Sequence, residues 1–131
     1  PGTVLSTKAA RAVLPQQLTL AHSIAFSGML SRFVSALYAK DEADAVAALQ
    51  DLVAEPARTP LLPELPGLRA ALAEKGILHL GISGAGPTLF ALCSNDEQAQ
   101  LAADYLSRHY EKNQDATTQI CRLSQGGARA L

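Results

Sequence analysis

Tryptophan is absent from this 131-residue chain, and all aromatic residues together make up only 5% of it. Hydrophobic residues nevertheless reach 48% of the sequence, which excludes a disordered polar tail and predicts a folded domain. Because large rings are so scarce, the core has to be built from aliphatic side chains. A chain of this length suits one domain with room for such a core.

Neither sign of charge dominates, since 11 basic and 12 acidic residues leave a net charge of −1. Binding to nucleic acid or to an anionic membrane favours basic clusters, so neither partner is expected. No apolar run looks long enough to cross a bilayer, and no signal peptide is visible. The chain starts at Pro1 without an initiator methionine, which indicates a piece of a longer protein.

Cysteine is also rare. Cys93 and Cys121 have no CxxC spacing, and each lies in an apolar, strand-like run. Free cysteine in such a run behaves as a small hydrophobic residue. The simplest interpretation is a reduced, cytoplasmic setting.

Helical patterns fill the first half of the chain. Ser6 can cap a short helix that ends before Pro15. Apolar residues then recur at steps of three and four positions. Three prolines between positions 53 and 63 predict an ordered but irregular loop. The longer predicted helices cover residues 19–39, residues 43–52 behind a cap at Asp41, and residues 65–75, with Gly76 closing the last one.

The second half changes to short apolar runs that are typical of strands. Residues 77–80 and 89–93 flank a glycine-rich segment and predict two strands joined by a turn. A helix is expected from Asn95 or Asp96 to Tyr110, followed by strands over residues 117–123 and 128–131. This order predicts an α+β domain of the ferredoxin-like kind, with a mainly antiparallel sheet covered by helices.

The glycine-rich segment, residues 81–88 (GISGAGPT), has the composition of a turn that can receive an anion. Glycine permits positive φ and close approach of a ligand, and consecutive N–H groups in such a turn can surround an anion. A dinucleotide-binding fingerprint would open a helix, and a P-loop would carry a lysine; this segment does neither. The residues alone leave two readings open, an anion site or a plain hairpin turn.

With strand-like runs on both sides, this segment resembles the third conserved motif of the GHMP kinases, which phosphorylate small molecules. That motif lies in the family's C-terminal domain. The resemblance therefore implies that residues 1–131 are such a domain, with Ser83, Gly84, Ala85 and Gly86 lining the phosphate region. No segment matches the family's N-terminal Pro-x-x-x-Gly-Leu-Gly-Ser-Ser-Ala loop. ATP and Mg²⁺ are then expected to bind mainly on an N-terminal domain outside this chain, and the isolated chain is expected to be inactive.

Two further segments resemble the homoserine kinase branch of that family. Residues 5–15 (LSTKAARAVLP) are similar to its Ser-Thr-x-x-Ala-Arg-x-x-Leu-Pro stretch. This implies that Thr7 faces the phosphoryl-transfer region and that Arg11 reaches the substrate carboxylate. Residues 54–63 (AEPARTPLLP) resemble a Glu-Pro-x-Arg loop, which implies that Arg58 is a second carboxylate ligand. The implied reaction transfers the γ-phosphate of ATP to the hydroxyl of L-homoserine, a step of threonine biosynthesis.

Each of these residues also has an ordinary interpretation. Arg11 can be a solvated helix charge, and Arg58 can stabilise its loop by donating to carbonyl oxygens. Thr7 can be an N-terminal helix residue beside the cap, and the resemblance implies a structural role for Glu55. The three histidines have no metal-ligand spacing, so no metal site is expected within the chain.

Other protein classes remain open at this point. The chain can be the C-terminal domain of another GHMP kinase, or a free-standing α+β module that binds an effector or mediates assembly. A piece of a larger enzyme would expose the apolar face that packs against its N-terminal domain. Homodimer formation through such a face is a further expectation.

Overall fold

The computed structural model describes residues 4–77 and 79–123. The predicted strand over residues 128–131 lies outside them. In chain order, the elements are α1 (Thr7–Ala12), α2 (Leu20–Ala39), α3 (Glu42–Ala47), α4 (Ala54–Arg58), a 3₁₀ turn (Thr59–Leu61), α5 (Leu65–Glu74), β1 (His79–Ile82), β2 (Leu89–Leu92) and α6 (Asp96–His109).

Four helices begin at a polar cap. The side chains of Ser6, Thr19, Asp41 and Asn95 each accept a hydrogen bond from the backbone N–H three residues further on. This bond satisfies one of the N–H groups that the first helical turn leaves without a partner. At the other end of α5, Gly76 takes a φ of +80°, as predicted for the residue after a helix.

The proline-rich segment is helical, contrary to the prediction of an irregular loop. Pro56 is the third residue of α4, and Pro60 lies in the 3₁₀ turn that follows. A proline in the first turn removes an N–H that has no partner within the helix, so the turn tolerates it. The helix before this segment is shorter than predicted, because α3 ends at Ala47.

The described sheet has two strands. β1 and β2 pair antiparallel, with His79 opposite Leu92 and Ile82 opposite Leu89. Residues 117–123 form no strand within the described part of the chain, so that prediction is wrong. This segment binds α6 and its end instead, through Arg122 on Asp96 at 2.6 Å and Thr118 on Glu111. The α+β class is confirmed.

The core lies between α5, the sheet and α6. It is mostly aliphatic, as the composition predicts, with Tyr110 as its one ring. Its buried members are Leu62, Leu65, Leu68, Leu72, Ile77, Leu80, Ala102 and Tyr110.

α2 and α3 form a separate helical hairpin. Arg32 of α2 binds Asp44 of α3, and both helices contribute buried alanines, Ala36 and Ala45. The other face of α2 is apolar and exposed, and it carries Leu20, Ile24, Phe26, Leu30, Val34, Leu37 and Tyr38.

By length and composition alone, α2 could cross a membrane. This corrects the expectation that no apolar run is long enough. A helix that packs against another part of a soluble protein has the same two properties, so the result is weak support for a membrane span.

Gly86 should tolerate a side chain poorly. Its φ is +80°, and a Cβ would lie 3.3 Å from Leu62 Cδ1 and 3.4 Å from Leu5 Cδ2. Gly86→Ala is expected to lower the free energy of unfolding by about 2 kcal/mol, measured by urea denaturation. The control is Gly67→Ala in α5, where a Cβ meets nothing within 4 Å. Equal losses in the two variants would contradict this account of the turn.

Candidate functional site

α1 carries two of the predicted site residues on its exposed side. Thr7 is the first helical residue after the Ser6 cap, and Arg11 lies in the last turn. Four positions apart, they share one face of the helix. Ala10 is fully buried at 0% exposure and anchors the helix on the domain. Neither side chain forms a hydrogen bond or ion pair with the described residues.

Arg58 joins α1 to the glycine-rich turn. Its Nε donates to the carbonyl of Ala10 at 3.3 Å, and its Nη1 donates to the carbonyl of Gly84 at 2.9 Å. These partners are 48 and 26 positions away along the chain. Thus α1, the end of α4 and the turn meet at one guanidinium group.

Arg58 therefore donates to carbonyl oxygens, as its ordinary interpretation describes. These two bonds do not occupy all of its donors. An arginine carries five N–H donors, and the two bonds leave three of them available. The side chain is half-buried, so its remaining donors can still face a ligand. Bonding to carbonyls and binding a carboxylate are compatible roles for one guanidinium group.

The turn between β1 and β2 is closed by two backbone bonds. Ser83 N–H donates to the Thr88 carbonyl at 2.8 Å, and Gly86 N–H donates to the Ser83 carbonyl at 3.1 Å. Gly84 takes a φ of +62°, as the first central residue of a type II′ turn does. The N–H groups of Gly84 and Ala85 have no acceptor among the described residues. Two adjacent unpaired donors suit an anion.

Two hydrophobic contacts fix the turn further. Leu5, the residue before the α1 cap, lies against Gly86, and so does Leu62 of the core. On the other side, the Tyr110 hydroxyl at the end of α6 donates to the Pro87 carbonyl. The turn is therefore held from α1, α4 and α6 together.

Glu55 has a structural position. Its carboxylate lies 2.8 Å from Arg69 Nη2, and Arg69 donates from Nε and Nη2 to the Leu80 carbonyl at 3.1 and 2.7 Å. This chain of contacts joins α4, α5 and β1. The structure thus gives the carboxylate a partner within the framework, in agreement with the role that the resemblance implies.

His79 lies beside that ion pair and is half-buried, with its ring 5.4 Å from the Phe90 ring. Burial lowers the pKa of His79 because it disfavours the charged form, and the positive charge of Arg69 lowers it further. The negative charge of Glu55 acts in the opposite direction.

Sequence reasoning missed Arg69 and Tyr110. Both act on backbone carbonyls of other elements, 11 and 23 positions away. No local spacing signals such contacts, because they depend on how the elements pack. Tyr110 was expected only as part of the predicted helix that follows residues 89–93.

No group of three or more histidine, cysteine or acidic side chains among the described residues could hold a metal ion. Two open grooves, of about 550 and 560 Å³, lie along α6, and neither includes a predicted site residue.

Comparison with known protein families identifies the family of this chain. Residues 33–112 match the family described as GHMP kinases, C terminal. The match covers more than half of the chain. The chain therefore belongs to the GHMP kinases and contains their C-terminal domain.

One solved structure gives a more specific similarity within this family. The chain is similar to the crystal structure of homoserine kinase from Cytophaga hutchinsonii, with a TM-score of 0.77 and 33% sequence identity. The match covers 84% of this chain and 35% of that one. This chain thus spans about a third of the length of that kinase.

The lowered pKa of His79 predicts a pH dependence of stability. Between the folded-state pKa and the ordinary value of 6.5, the unfolded chain binds more protons, so stability rises with pH. Lowering the pH from 8 to 5.5 should therefore cost the wild type more free energy of unfolding than His79→Gln. Urea denaturation at both values tests this. At pH 8 the imidazole is neutral in the folded and the unfolded state, so the difference in unfolding free energy between the two proteins measures the packing effect of the substitution. If the unfolding free energy changed equally with pH in both proteins, the prediction would be contradicted.

Proposed function

We propose that the chain is the C-terminal part of a homoserine kinase, which transfers the γ-phosphate of ATP to the hydroxyl of L-homoserine. The observation that carries this proposal is the pair of bonds from Arg58 to Ala10 and Gly84. These bonds bring together the turn that resembles the third GHMP motif and the two segments that resemble homoserine kinases. The 33% identity to a homoserine kinase supports the same substrate.

In this proposal, Arg11 and Arg58 hold the carboxylate of the amino-acid substrate. Guanidinium groups form charge-assisted, bidentate bonds with carboxylates, which fix the orientation of the substrate as well as its position. Arg11 has its whole side chain free of bonds to the described residues, and Arg58 has three donors left. A substrate held at its carboxylate presents its hydroxyl at a defined distance.

Thr7 and the turn face the phosphoryl group in the same proposal. The N–H groups of Gly84 and Ala85 would donate to phosphoryl oxygens, with Ser83 and Gly86 shaping the turn around them. Phosphoryl transfer depends on positioning and on charge stabilisation, and this surface supplies part of both. ATP and Mg²⁺ would bind mainly on the N-terminal domain, which carries the nucleotide loop of the family.

The N-terminal domain would also cover the apolar face of α2. That face has exposed side chains along its full length. The only lysine, arginine or acidic residue of α2 is Arg32, and it lies on the side that contacts α3. A domain interface removes such a surface from water. Homodimer formation and a cytoplasmic location remain parts of the proposal.

The isolated 131-residue chain is expected to show no ATP turnover, because no segment supplies the family's nucleotide loop. A coupled ADP-release assay with L-homoserine measures this. The control is a full-length protein that contains these residues and is assayed under the same conditions. Clear turnover by the isolated chain would contradict the proposed division between the two domains.

Removing a carboxylate ligand should raise the KM for L-homoserine in the full-length protein. For Arg11→Ala we expect a rise of about ten- to hundred-fold, the cost of losing a charged hydrogen bond, with the KM for ATP nearly unchanged. Lys8→Ala is the matched control, since Lys8 is an exposed cation on the same helix.

Arg58→Ala separates the two roles of that residue. It should raise the KM for L-homoserine and also lower the free energy of unfolding by about 1 to 3 kcal/mol, because two carbonyls lose their donor. Unchanged KM and kcat for Arg11→Ala and Arg58→Ala would remove both arginines from the site. Activity on a different small alcohol, with none on homoserine, would keep the kinase class and reject the substrate.

A further inference from the structure

A trans peptide group is a rigid plane in which the C=O and the N–H of the next residue point in opposite directions. Holding the carbonyl oxygen therefore fixes the direction of that N–H. Arg58 holds the Gly84 carbonyl at 2.9 Å, and the N–H in the same plane belongs to Ala85. The arginine thus orients one of the unpaired donors of the turn.

The same reasoning applies on the other side of the turn, where Tyr110 donates to the Pro87 carbonyl. The N–H in that plane belongs to Thr88. This N–H has no acceptor within residues 4–77 and 79–123, although the Thr88 carbonyl accepts from Ser83. Thr88 is exposed as a residue, and the donor that Tyr110 orients is unpaired among the described residues.

Tyr110 is well placed to hold a peptide plane still. It is only 8% exposed, packs in the core, and follows the last residue of α6, where its N–H donates to Leu106 at 2.8 Å. Burial raises the pKa of Tyr110 to about 12, with the negative charge of Glu64 as a second cause. The hydroxyl therefore keeps its proton at neutral pH and remains a donor.

We propose that Tyr110 is a positioning residue, and that the Thr88 N–H which it orients donates to an oxyanion of the bound ligand. The oxyanion belongs to a phosphoryl group or to the carboxylate of the amino-acid substrate, since both accept N–H donors in the same way. The donor surface of the turn then extends past Pro87, which has no N–H of its own. This inference deepens the proposed function and rests on it for the nature of the ligand.

The test follows the Thr88 amide resonance in ¹⁵N-labelled full-length protein, titrated with inorganic phosphate and, separately, with L-homoserine. The key variant is Tyr110→Phe, which keeps the buried ring and removes the donor. Tyr105→Phe is the matched control. Tyr105 also lies on α6, its ring contacts His109 and Lys75, and its hydroxyl forms no hydrogen bond with the described residues.

In the wild type, the Thr88 resonance should shift with one of the two probes. A response to phosphate identifies a phosphoryl oxygen as the acceptor, and a response to L-homoserine identifies the carboxylate. Tyr110→Phe should weaken the apparent affinity about five- to ten-fold, as loss of one orienting hydrogen bond does, and Tyr105→Phe should stay within about two-fold. No response to either probe, or equal affinities in the two variants, would overturn the proposal.

The titration separates this inference from the proposed function, because it needs no turnover. A Thr88 response that Tyr110→Phe weakens, in a protein without homoserine kinase activity, would reject the proposed function and support the role of Tyr110. Normal kinase activity with no Thr88 response would support the proposed function and reject the role of Tyr110.

In an active enzyme, kinetics add a second readout. A purely structural Tyr110 would leave kcat and both KM values of the folded variant unchanged, whereas a positioning residue changes the KM of the ligand that Thr88 contacts.

Discussion

The arrangement of the candidate site depends on one guanidinium group. Arg58 donates to Ala10 in α1 and to Gly84 in the turn, and these segments lie far apart along the chain. The planar fork of an arginine reaches two carbonyls in different directions, whereas the ammonium of a lysine is a compact point charge. Loss of the bond to Ala10 would leave a partly buried carbonyl without this donor, which costs about 1 to 3 kcal/mol. The arginine therefore sets the distance between α1 and the turn.

Next to the site, a second arginine also donates to a backbone carbonyl. Arg69 donates twice to the Leu80 carbonyl and pairs with Glu55, so the start of α4 is joined to α5 and β1. Tyr110 adds a third side chain that holds a carbonyl, at Pro87. In a chain with few aromatic residues, these polar contacts hold the loops, and the aliphatic core holds the helices and strands. Both kinds of contact meet at the turn, where Leu62 packs against Gly86.

What could be predicted from the sequence was mainly local. The caps at Ser6, Asp41 and Asn95 act within three residues, so composition and spacing find them. The α+β class and the family resemblance were also accessible, and both are confirmed. The error at residues 53–63 came from treating proline as a helix breaker without regard to its place in the first turn.

The rest depended on contacts between distant segments. Residues 117–123 alternate like a strand, but Arg122 and Thr118 bind at α6 and its end, and alternation alone does not specify a pairing partner. The carbonyl partners of Arg58 were likewise beyond sequence reasoning. The family resemblance implied that Arg58 belongs near the site, and the fold supplies the acceptors that hold it beside α1 and the turn.

Apolar side chains are unevenly distributed between burial and exposure in the described residues. Leucines of α5 are 1% to 5% exposed, whereas Leu20, Leu30 and Leu37 of α2 are 77%, 59% and 55% exposed. Full burial of one such side chain contributes about 1.5 to 3 kcal/mol. The described residues bury the first set and leave the second in water, so much of the burial available to α2 must come from a surface outside them. The proposed N-terminal domain would supply that surface, and the interface would then stabilise both domains.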